Sequence, residues 1–177
     1  MRCAVFIATS LDGCIARSDG DLDWLPQDGD LEGADDHGYE EFVASVDVLV
    51  MGRTTYDTVL GFGVGWPYEL PVVVLTNRPL DDVPAGADVR TASGPVTQVV
   101  ADLEAAGFTG AYIDGGEVIQ QFLTADLVDD MTITVVPVLL GDDIPLFGEL
   151  EQDLRFTAGE PRLVTGGLVQ TTWTRTR

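Results

Sequence analysis

Residues 111–123 constrain the fold of this chain most, because a short apolar strand runs through two adjacent glycines directly into an amphipathic helix. Glycine has no Cβ atom, so the backbone at Gly115 and Gly116 can approach a ligand closely. The N–H groups of the first helical turn, which contains Glu117, and the positive end of the helix dipole then face the same point. This order predicts an anion site, with a dinucleotide pyrophosphate as the first candidate. The alternative is that the two glycines form only a tight turn.

Strand-like and helical patterns alternate over the first two-thirds of the chain. Strands are predicted at residues 2–9, 46–51, 71–75, 88–91 and 110–113. The first two are almost continuously hydrophobic, which indicates burial on both faces of a sheet. Helices are predicted at residues 39–46, 56–60, 96–103 and 117–123. Apolar residues recur at intervals of three and four in the first and third of these segments.

The pattern changes to strands alone after residue 123. The runs 131–140, 155–164 and 167–175 have strand composition, and Gly166-Gly167 between the last two is a hairpin signal. A chain of 177 residues, 45% of them hydrophobic, is long enough for one well-filled core. We therefore expect a single domain over residues 1–177 of the α/β class. It would have three layers and a mixed, mostly parallel sheet of about eight strands, closed by antiparallel C-terminal strands.

The charge of the chain argues against nucleic-acid and membrane partners. Thirty acidic and nine basic residues give a net charge of −21, and lysine is absent. Such a surface repels phosphate backbones and anionic lipid. No apolar run approaches the roughly 20 residues of a membrane span, and the N-terminal residues lack signal-peptide features, so we expect a cytoplasmic protein. Cys3, Cys14 and the single histidine, His37, form no zinc-ligand pattern, so no metal site is expected.

Four short motifs stand at the ends of predicted strands or follow them. They are Ala-Thr-Ser-Leu-Asp-Gly at 8–13, Met-Gly-Arg-Thr-Thr at 51–55, Asp-Gly-Gly at 114–116, and Pro-Val-Leu-Leu-Gly at 137–141 with Pro-Leu-Phe at 145–147. Together they resemble the dihydrofolate reductase-like superfamily, and within it the stand-alone relatives of the reductase domain of the riboflavin-biosynthesis deaminase-reductase. The resemblance extends over nearly the whole chain.

This resemblance implies an NADPH-dependent oxidoreductase that transfers a hydride to a pterin or to a pyrimidine-linked ribose. The implied activity is like that of 5-amino-6-(5-phosphoribosylamino)uracil reductase. Dihydrofolate reductase activity is one alternative, and an NADPH-binding protein without turnover is another. The resemblance also implies a homodimer acting on a small-molecule substrate. The zinc signature of the deaminase half does not occur in the sequence.

The resemblance places NADPH along the carboxyl ends of the parallel strands. Gly115 and Gly116 would hold the pyrophosphate, and the turn of Gly52, Arg53 and Thr54 at the start of the opposing helix would assist them. In dihydrofolate reductases a cis bond joins the two glycines, so the resemblance implies one here. The alternative for Arg53 is that its side chain only caps the surface.

Two further parts of the cofactor have candidate residues. Arg78 follows a predicted strand together with Thr76 and Asn77, and its guanidinium is the candidate for the 2′-phosphate. Ala8 and Ile15 match positions that hold the nicotinamide in the family. The alternative is that both are ordinary core residues.

The candidate catalytic groups are carboxyls, because hydride transfer needs a nearby proton donor or charge stabiliser. Asp114 is the first candidate, since riboflavin-pathway reductases that resemble this chain carry an acid just before the two glycines. Asp12 is the second, although an Asp in such a turn often bonds its own backbone. Folate reductases place their acid a few residues after the tryptophan that Trp24 resembles, where Asp28 and Asp30 stand in a loop rich in Asp.

Two features of the riboflavin-pathway reductases are missing from this chain. Those enzymes typically carry a lysine on the first strand, about where Phe6 stands. They also carry an Asp-Pro pair where residues 56–60 read Tyr-Asp-Thr-Val-Leu. Without lysine, a binding site for a ribose 5-phosphate is hard to assemble. The substrate can therefore differ from that of the riboflavin-pathway reductases.

The acidic, lysine-free composition makes a prediction about salt. It resembles that of proteins from high-salt cytoplasm, where ions screen self-repulsion over about 3 Å at 1 M salt. We expect the protein to unfold as the salt concentration is lowered, which circular dichroism over a salt series would measure. Compositional drift in a GC-rich genome is the alternative, and it predicts a fold that is indifferent to salt.

Overall fold

The computed structural model describes residues 1–26 and 36–177, in which helices flank a large β-sheet. The α-helices are α1 (Tyr39–Ala44), α2 (Arg53–Gly61), α3 (Val96–Ala105) and α4 (Gly116–Thr124). The strands are β1 (Arg2–Ser10), β2 (Cys14–Ala16), β3 (Val48–Gly52), β4 (Val72–Leu75), β5 (Val89–Ala92), β6 (Gly110–Asp114), β7 (Asp130–Val136), β8 (Ile144–Pro145), β9 (Phe156–Ala158), β10 (Arg162–Val164) and β11 (Leu168–Arg175). None of the helices in this part of the chain is long and apolar enough to cross a membrane.

Within the described residues, nine strands form one sheet in the order β10-β11-β7-β1-β6-β3-β4-β5, with β9 also paired to β11. Neighbouring strands from β7 to β5 run parallel. Strand β11 is antiparallel to β7, β9 and β10. Strands β2 and β8 pair antiparallel in a separate small sheet. The predicted α/β fold, with a mixed sheet and antiparallel C-terminal strands, is confirmed.

The two faces of the parallel strands bury alternate residues under different helices. On one face, Val50 and Ile113 belong to a buried cluster that includes apolar residues of α3 and α4. On the other face, Leu49 and Tyr112 belong to a second cluster with residues of α1 and α2. Burial on both faces explains why these strands are continuously hydrophobic in the sequence.

The run predicted as one strand at 155–164 consists of two strands, β9 and β10. Gly159 and Pro161 lie between them, and proline cannot donate to a strand ladder while glycine weakens a strand. Strands β10 and β11 pair in register on either side of residues 165–167, as the hairpin signal at Gly166 and Gly167 predicted.

Strand β7 ends at Val136, earlier than the predicted boundary at residue 140, because Pro137 has no N–H group to continue the ladder. Strands β2 and β8 were not predicted. They are three and two residues long, which is too short to show a hydrophobic period.

The carboxyl ends of four adjacent parallel strands meet at one edge of the sheet. These ends are Ser10 in β1, Asp114 in β6, Gly52 in β3 and Leu75 in β4. Ligands of open α/β sheets bind beyond the carboxyl ends of the strands. The fold therefore gathers at this edge the site residues that the sequence distributes from residue 8 to residue 117.

The packing of α4 gives a test of the core. Phe122 on α4 is 0% exposed, whereas Phe62, directly after α2, is 54% exposed. We expect Phe122→Ala to lower the free energy of unfolding by about 3–5 kcal/mol, because it leaves a cavity under the sheet. Urea denaturation at constant salt would measure this loss. Phe62→Ala is the matched control and should change stability by less than about 0.5 kcal/mol. Equal losses would show that α4 does not close the core.

Candidate functional site

Two glycine turns pack against each other at the carboxyl edge of the sheet. Gly115 is the N-cap residue directly before α4, with φ 86° and ψ 135°, a conformation open to glycine, and a Cβ atom there would overlap the hydroxyl of Thr55 on α2. Gly52 is the N-cap residue before α2, and a Cβ atom there would lie 3.2 Å from Val118 on α4. Among the described residues no side chain caps either helix, so the N–H groups of both first turns, with Glu117 in that of α4, remain available to an anion.

The peptide bond between Gly115 and Gly116 is trans, so the cis bond implied by the family resemblance is absent. The turn is made instead by the left-handed φ of Gly115. Gly116 has no room for a side chain either, because a Cβ atom on it would lie 2.6 Å from the Cδ1 atom of Ile15 on β2. The two glycines therefore form the start of a helix that is packed against Thr55 on one side and Ile15 on the other, rather than an isolated tight turn.

Arg53 connects the start of α2 to the loop after β4. Its Nε atom donates to both carboxylate oxygens of Asp57, at 2.8 and 2.9 Å, and its Nη1 atom donates to the carbonyl of Pro79 at 3.0 Å. These contacts favour a role in positioning the loop, with part of the guanidinium left for a ligand. The neighbouring Thr54 is exposed, and its carbonyl accepts a hydrogen bond from the Thr58 hydroxyl at 2.9 Å.

Arg78 lies in that loop with a guanidinium that has no hydrogen-bond or ion-pair partner among residues 1–26 and 36–177. The loop is ordered by backbone contacts, since Thr76 donates to the carbonyl of Ala92 at 2.9 Å and the Arg78 N–H donates to the Thr76 hydroxyl at 3.1 Å. Arg78 and Asn77 are both exposed. Within the described residues, six of the nine arginines pair with a carboxylate, whereas Arg78 at this edge of the sheet does not.

Ala8 and Ile15 lie in different apolar clusters. Ile15 packs against the core beneath α4 and covers Gly116. Ala8 packs instead with Trp24 and Val136, next to the end of β7. Both residues are half-buried, so they keep surface at the carboxyl edge.

Asp12 fastens the turn after β1 to the loop after β7. Its carboxylate accepts hydrogen bonds from the Ser10 hydroxyl at 2.6 Å and from the N–H groups of Leu140 and Gly141, the latter at 2.8 Å. These donors, the Ser10 hydroxyl first, lower the pKa of Asp12 to about 2. A carboxylate held ionised by so many donors is suited to structure rather than to proton donation.

Asp114 has the opposite environment. Burial raises the pKa of this carboxyl from 3.8 to about 6, against the effect of the Gly115 N–H, which donates to its Oδ1 atom at 2.8 Å. Its Oδ2 atom has no hydrogen-bond partner among the described residues. Burial, and after it the charge of Asp114, raises the pKa values of Tyr39, Tyr68 and Tyr112, so these phenols lie near the carboxyl.

The sequence alone did not identify Thr55 or the tyrosines near Asp114 as site residues. Thr55 belongs to a motif that was recognised, but only the tertiary contact shows that its hydroxyl fills the place of a Gly115 Cβ. Tyr39 lies on α1 and Tyr68 in the loop before β4, and no periodic signal connects them with Asp114. Asp28 and Asp30, the positions suggested by folate reductases, lie outside the described residues.

Comparison with known proteins agrees with this geometry. Residues 3–169 match the family described as the RibD C-terminal domain. YwjB of Bacillus subtilis (strain 168), described as uncharacterized, is 35% identical over 156 residues, which is 87% of each chain. A crystal structure from Shewanella sp. PV-4, of a protein assigned provisionally to riboflavin biosynthesis, is 47% identical with a TM-score of 0.89 over 100% of both chains. Dihydrofolate reductase from Enterococcus faecalis, complexed with NADP(H), has a TM-score of 0.66 at 20% identity and covers 99% and 97% of the two chains.

The similarity to the E. faecalis reductase shows only a common fold, because the two sequences are just 20% identical. The family match is stronger, because it extends over residues 3–169 and so contains every residue of the four motifs that carried the resemblance. The chain therefore belongs to the family of the RibD C-terminal domain, with the dihydrofolate reductase-like fold.

Proposed function

We propose that this protein is an NADPH-dependent reductase of the riboflavin-biosynthesis type, which transfers a hydride to a pyrimidine- or pterin-like small molecule. The observation that carries the proposal is Asp114, a half-buried carboxyl with a raised pKa directly before the two glycines that begin α4. Membership of the RibD C-terminal domain family supports a reductase. The homodimer that the resemblance implies and the cytoplasmic location expected from the sequence stay part of this proposal.

The residues at the carboxyl edge fit NADPH. The first turns of α2 and α4 face the same edge, so the N–H groups near Gly116 and Glu117 would take the pyrophosphate, with Thr54 and Arg53 beside them. Arg78 presents a free guanidinium beyond the end of β4, where it would take the 2′-phosphate with Thr76 and Asn77. The E. faecalis reductase of this fold was solved with NADP(H), which supports NADPH as the cofactor here.

The remaining groups fit the reaction. NADPH supplies a hydride when it is bound, and Ile15 over Gly116, with Ala8 at the end of β1, would form the apolar seat of its nicotinamide. Reduction of a C=N or C=O bond also requires a proton. Asp114 would provide it from Oδ2, because a carboxyl with a pKa of about 6 is protonated in a useful fraction near neutral pH. Asp12 would hold the turn and the loop that flank the site.

The decisive experiment separates reduction from simple binding. Purified protein in molar salt would be mixed with NADPH, and cofactor fluorescence would be followed with and without reducible pyrimidines, pterins and dihydrofolate. Oxidation of NADPH that depends on one of these acceptors is the expected result. Quenching of NADPH fluorescence without oxidation by any acceptor would favour the binding protein without turnover, and no quenching would contradict the cofactor assignment.

The assignment of Arg78 predicts cofactor selectivity. Arg78→Ala should weaken NADPH binding by about tenfold or more, the effect of one charge-assisted hydrogen bond, and should leave NADH binding nearly unchanged. Fluorescence titration with both cofactors would measure this. Arg90→Ala is the matched control, because Arg90 is an exposed arginine that is already paired with Asp88. Equal losses for NADPH and NADH would contradict the assignment.

The raised pKa of Asp114 predicts the pH dependence of turnover. If the protonated carboxyl is the donor, kcat is constant below a pH of about 6 and falls as the pH rises through that value. Asp114→Asn should lower kcat by about 10²–10⁴-fold and remove this dependence. A pH–rate profile of both proteins tests the role, and an unchanged profile in the variant would exclude Asp114 as the donor.

Stability provides the control for that variant. The folded protein holds the Asp114 proton more tightly than the unfolded chain does, since the pKa rises from 3.8 to about 6 on folding. The contribution of Asp114 to stability therefore falls as the pH rises between these values, by up to about 3 kcal/mol. Asp114→Asn should be at least as stable as the wild type at pH 7.5, which would show that lost activity is not lost folding.

A further inference from the structure

Aromatic side chains are concentrated on the α1 and α2 face of the sheet, where Tyr39, Tyr68 and Tyr112 lie near Asp114. We call these three, together with Phe6 and Trp66, the aromatic cluster; Phe42 and Tyr56 of the same buried core pack against it. The ring centroids of Phe6 and Tyr39 lie 5.6 Å apart, those of Tyr39 and Tyr112 lie 6.4 Å apart, and those of Trp66 and Tyr68 lie 5.2 Å apart. Flat faces and ring edges of this kind bind a planar ring.

Some polar groups of the aromatic cluster have hydrogen-bond partners in the protein and others have none among the described residues. Tyr112 donates to the carbonyl of Phe6 at 3.0 Å, which fixes its ring. The hydroxyls of Tyr39 and Tyr68 have no hydrogen-bond partner among the described residues, although both side chains are half-buried. The indole nitrogen of Trp66, whose ring packs on Tyr68, is buried without an acceptor among the described residues. Two phenols near the Asp114 carboxyl, with no protein acceptor in the described part of the chain, suit a ligand that carries carbonyl oxygens.

Among the described residues, no arginine side chain hydrogen-bonds to the aromatic cluster, and the two arginine–ring contacts, of Arg90 with Phe108 and of Arg175 with Phe156, lie outside it. The sequence has no lysine, and all nine arginines fall within residues 1–26 and 36–177. Arg53 is held by Asp57, and Arg155 lies next to residue 176, at the opposite edge of the sheet from Asp114. Arg78 is assigned to the cofactor. Most of the others pair with carboxylates elsewhere.

Two arginines share a groove with one member of the aromatic cluster. Arg2 and Arg162 line a groove of about 400 Å³ that Phe6 also lines. Arg2 donates to both carboxylate oxygens of Asp130 at 2.7 Å, and Arg162 is hydrogen-bonded to Gln170. Glu41 and Glu160 line the same groove. A phosphate would therefore meet carboxylates and occupied guanidinium groups there.

We propose that the hydride acceptor of this protein is a planar, uncharged heterocycle with carbonyl oxygens and without a phosphate group. Its ring lies against the aromatic cluster, and Tyr39 and Tyr68 donate to its carbonyl oxygens beside Asp114. The proposal rests on the reductase function proposed above. It restricts the substrates of that reductase to compounds without phosphate. A dianionic phosphate would otherwise lie near a carboxylate with no free cation to pair with, which is unfavourable.

A matched pair of ligands tests this proposal. The probes are a 5-amino-6-ribosylaminouracil and its 5′-phosphate, and their binding is measured by calorimetry at pH 7.5 in the same salt, with NADP⁺ present to fill the cofactor site. The compound without phosphate should bind at least about tenfold more tightly, the cost of one uncompensated charge contact. Equal or tighter binding of the phosphate, or no binding of either compound, would overturn the proposal.

The same pair distinguishes this proposal from the reductase function. NADPH oxidation with the phosphorylated compound, together with its tighter binding, would retain the function and overturn the acceptor class. Preferred binding of the compound without phosphate, with no oxidation of NADPH by either, would retain the acceptor class and contradict the function.

Hydroxyl-deleting variants test the contacts themselves. Tyr39→Phe and Tyr68→Phe keep the rings and remove one donor each, so each should weaken binding of the compound without phosphate by about tenfold. Tyr56→Phe is the control, because its hydroxyl already donates to the carbonyl of Asp82 at 2.8 Å. Losses no larger than that of Tyr56→Phe would show that the two hydroxyls do not bind the acceptor.

Discussion

The contact of Gly115 with Thr55 is the constraint on which the rest of the site depends. Because a side chain at residue 115 would overlap the Thr55 hydroxyl, only glycine lets the start of α4 lie against α2. The two helix starts then expose their N–H groups at the same edge of the sheet. That arrangement favours an anion between them and places Asp114, the residue before the turn, at the boundary of the aromatic core.

The two candidate acids show how environment divides the roles of identical side chains. Asp12 is exposed and accepts hydrogen bonds from a hydroxyl and two backbone N–H groups, which stabilise its charge. Asp114 has one such donor and is half-buried near three tyrosines, and its removal from water destabilises its charge. The first arrangement stabilises the fold. The environment of Asp114 lowers the free energy of unfolding at neutral pH, and destabilised ionisable groups of this kind are typical of functional sites.

The local pattern predicted the four α-helices and most strands of the described residues, because each depends on residues close together in the chain. It missed β2 and β8, which are too short to show a period, and it joined β9 to β10 across Pro161. The implied cis bond was wrong, since Gly115 makes the turn with its left-handed φ. The roles of the individual site residues stay predictions.

The sequence by itself determined the α/β class and the acidic composition, and it predicted an anion site at the turn of Gly115 and Gly116. Composition and short-range spacing are sufficient for these conclusions. Only the tertiary structure decided which of the two candidate acids is removed from solvent, which arginines are paired with carboxylates and which tyrosines lie near Asp114. These properties depend on side chains from distant segments, and burial, pairing and pKa shifts arise from such contacts rather than from the order of residues in the chain.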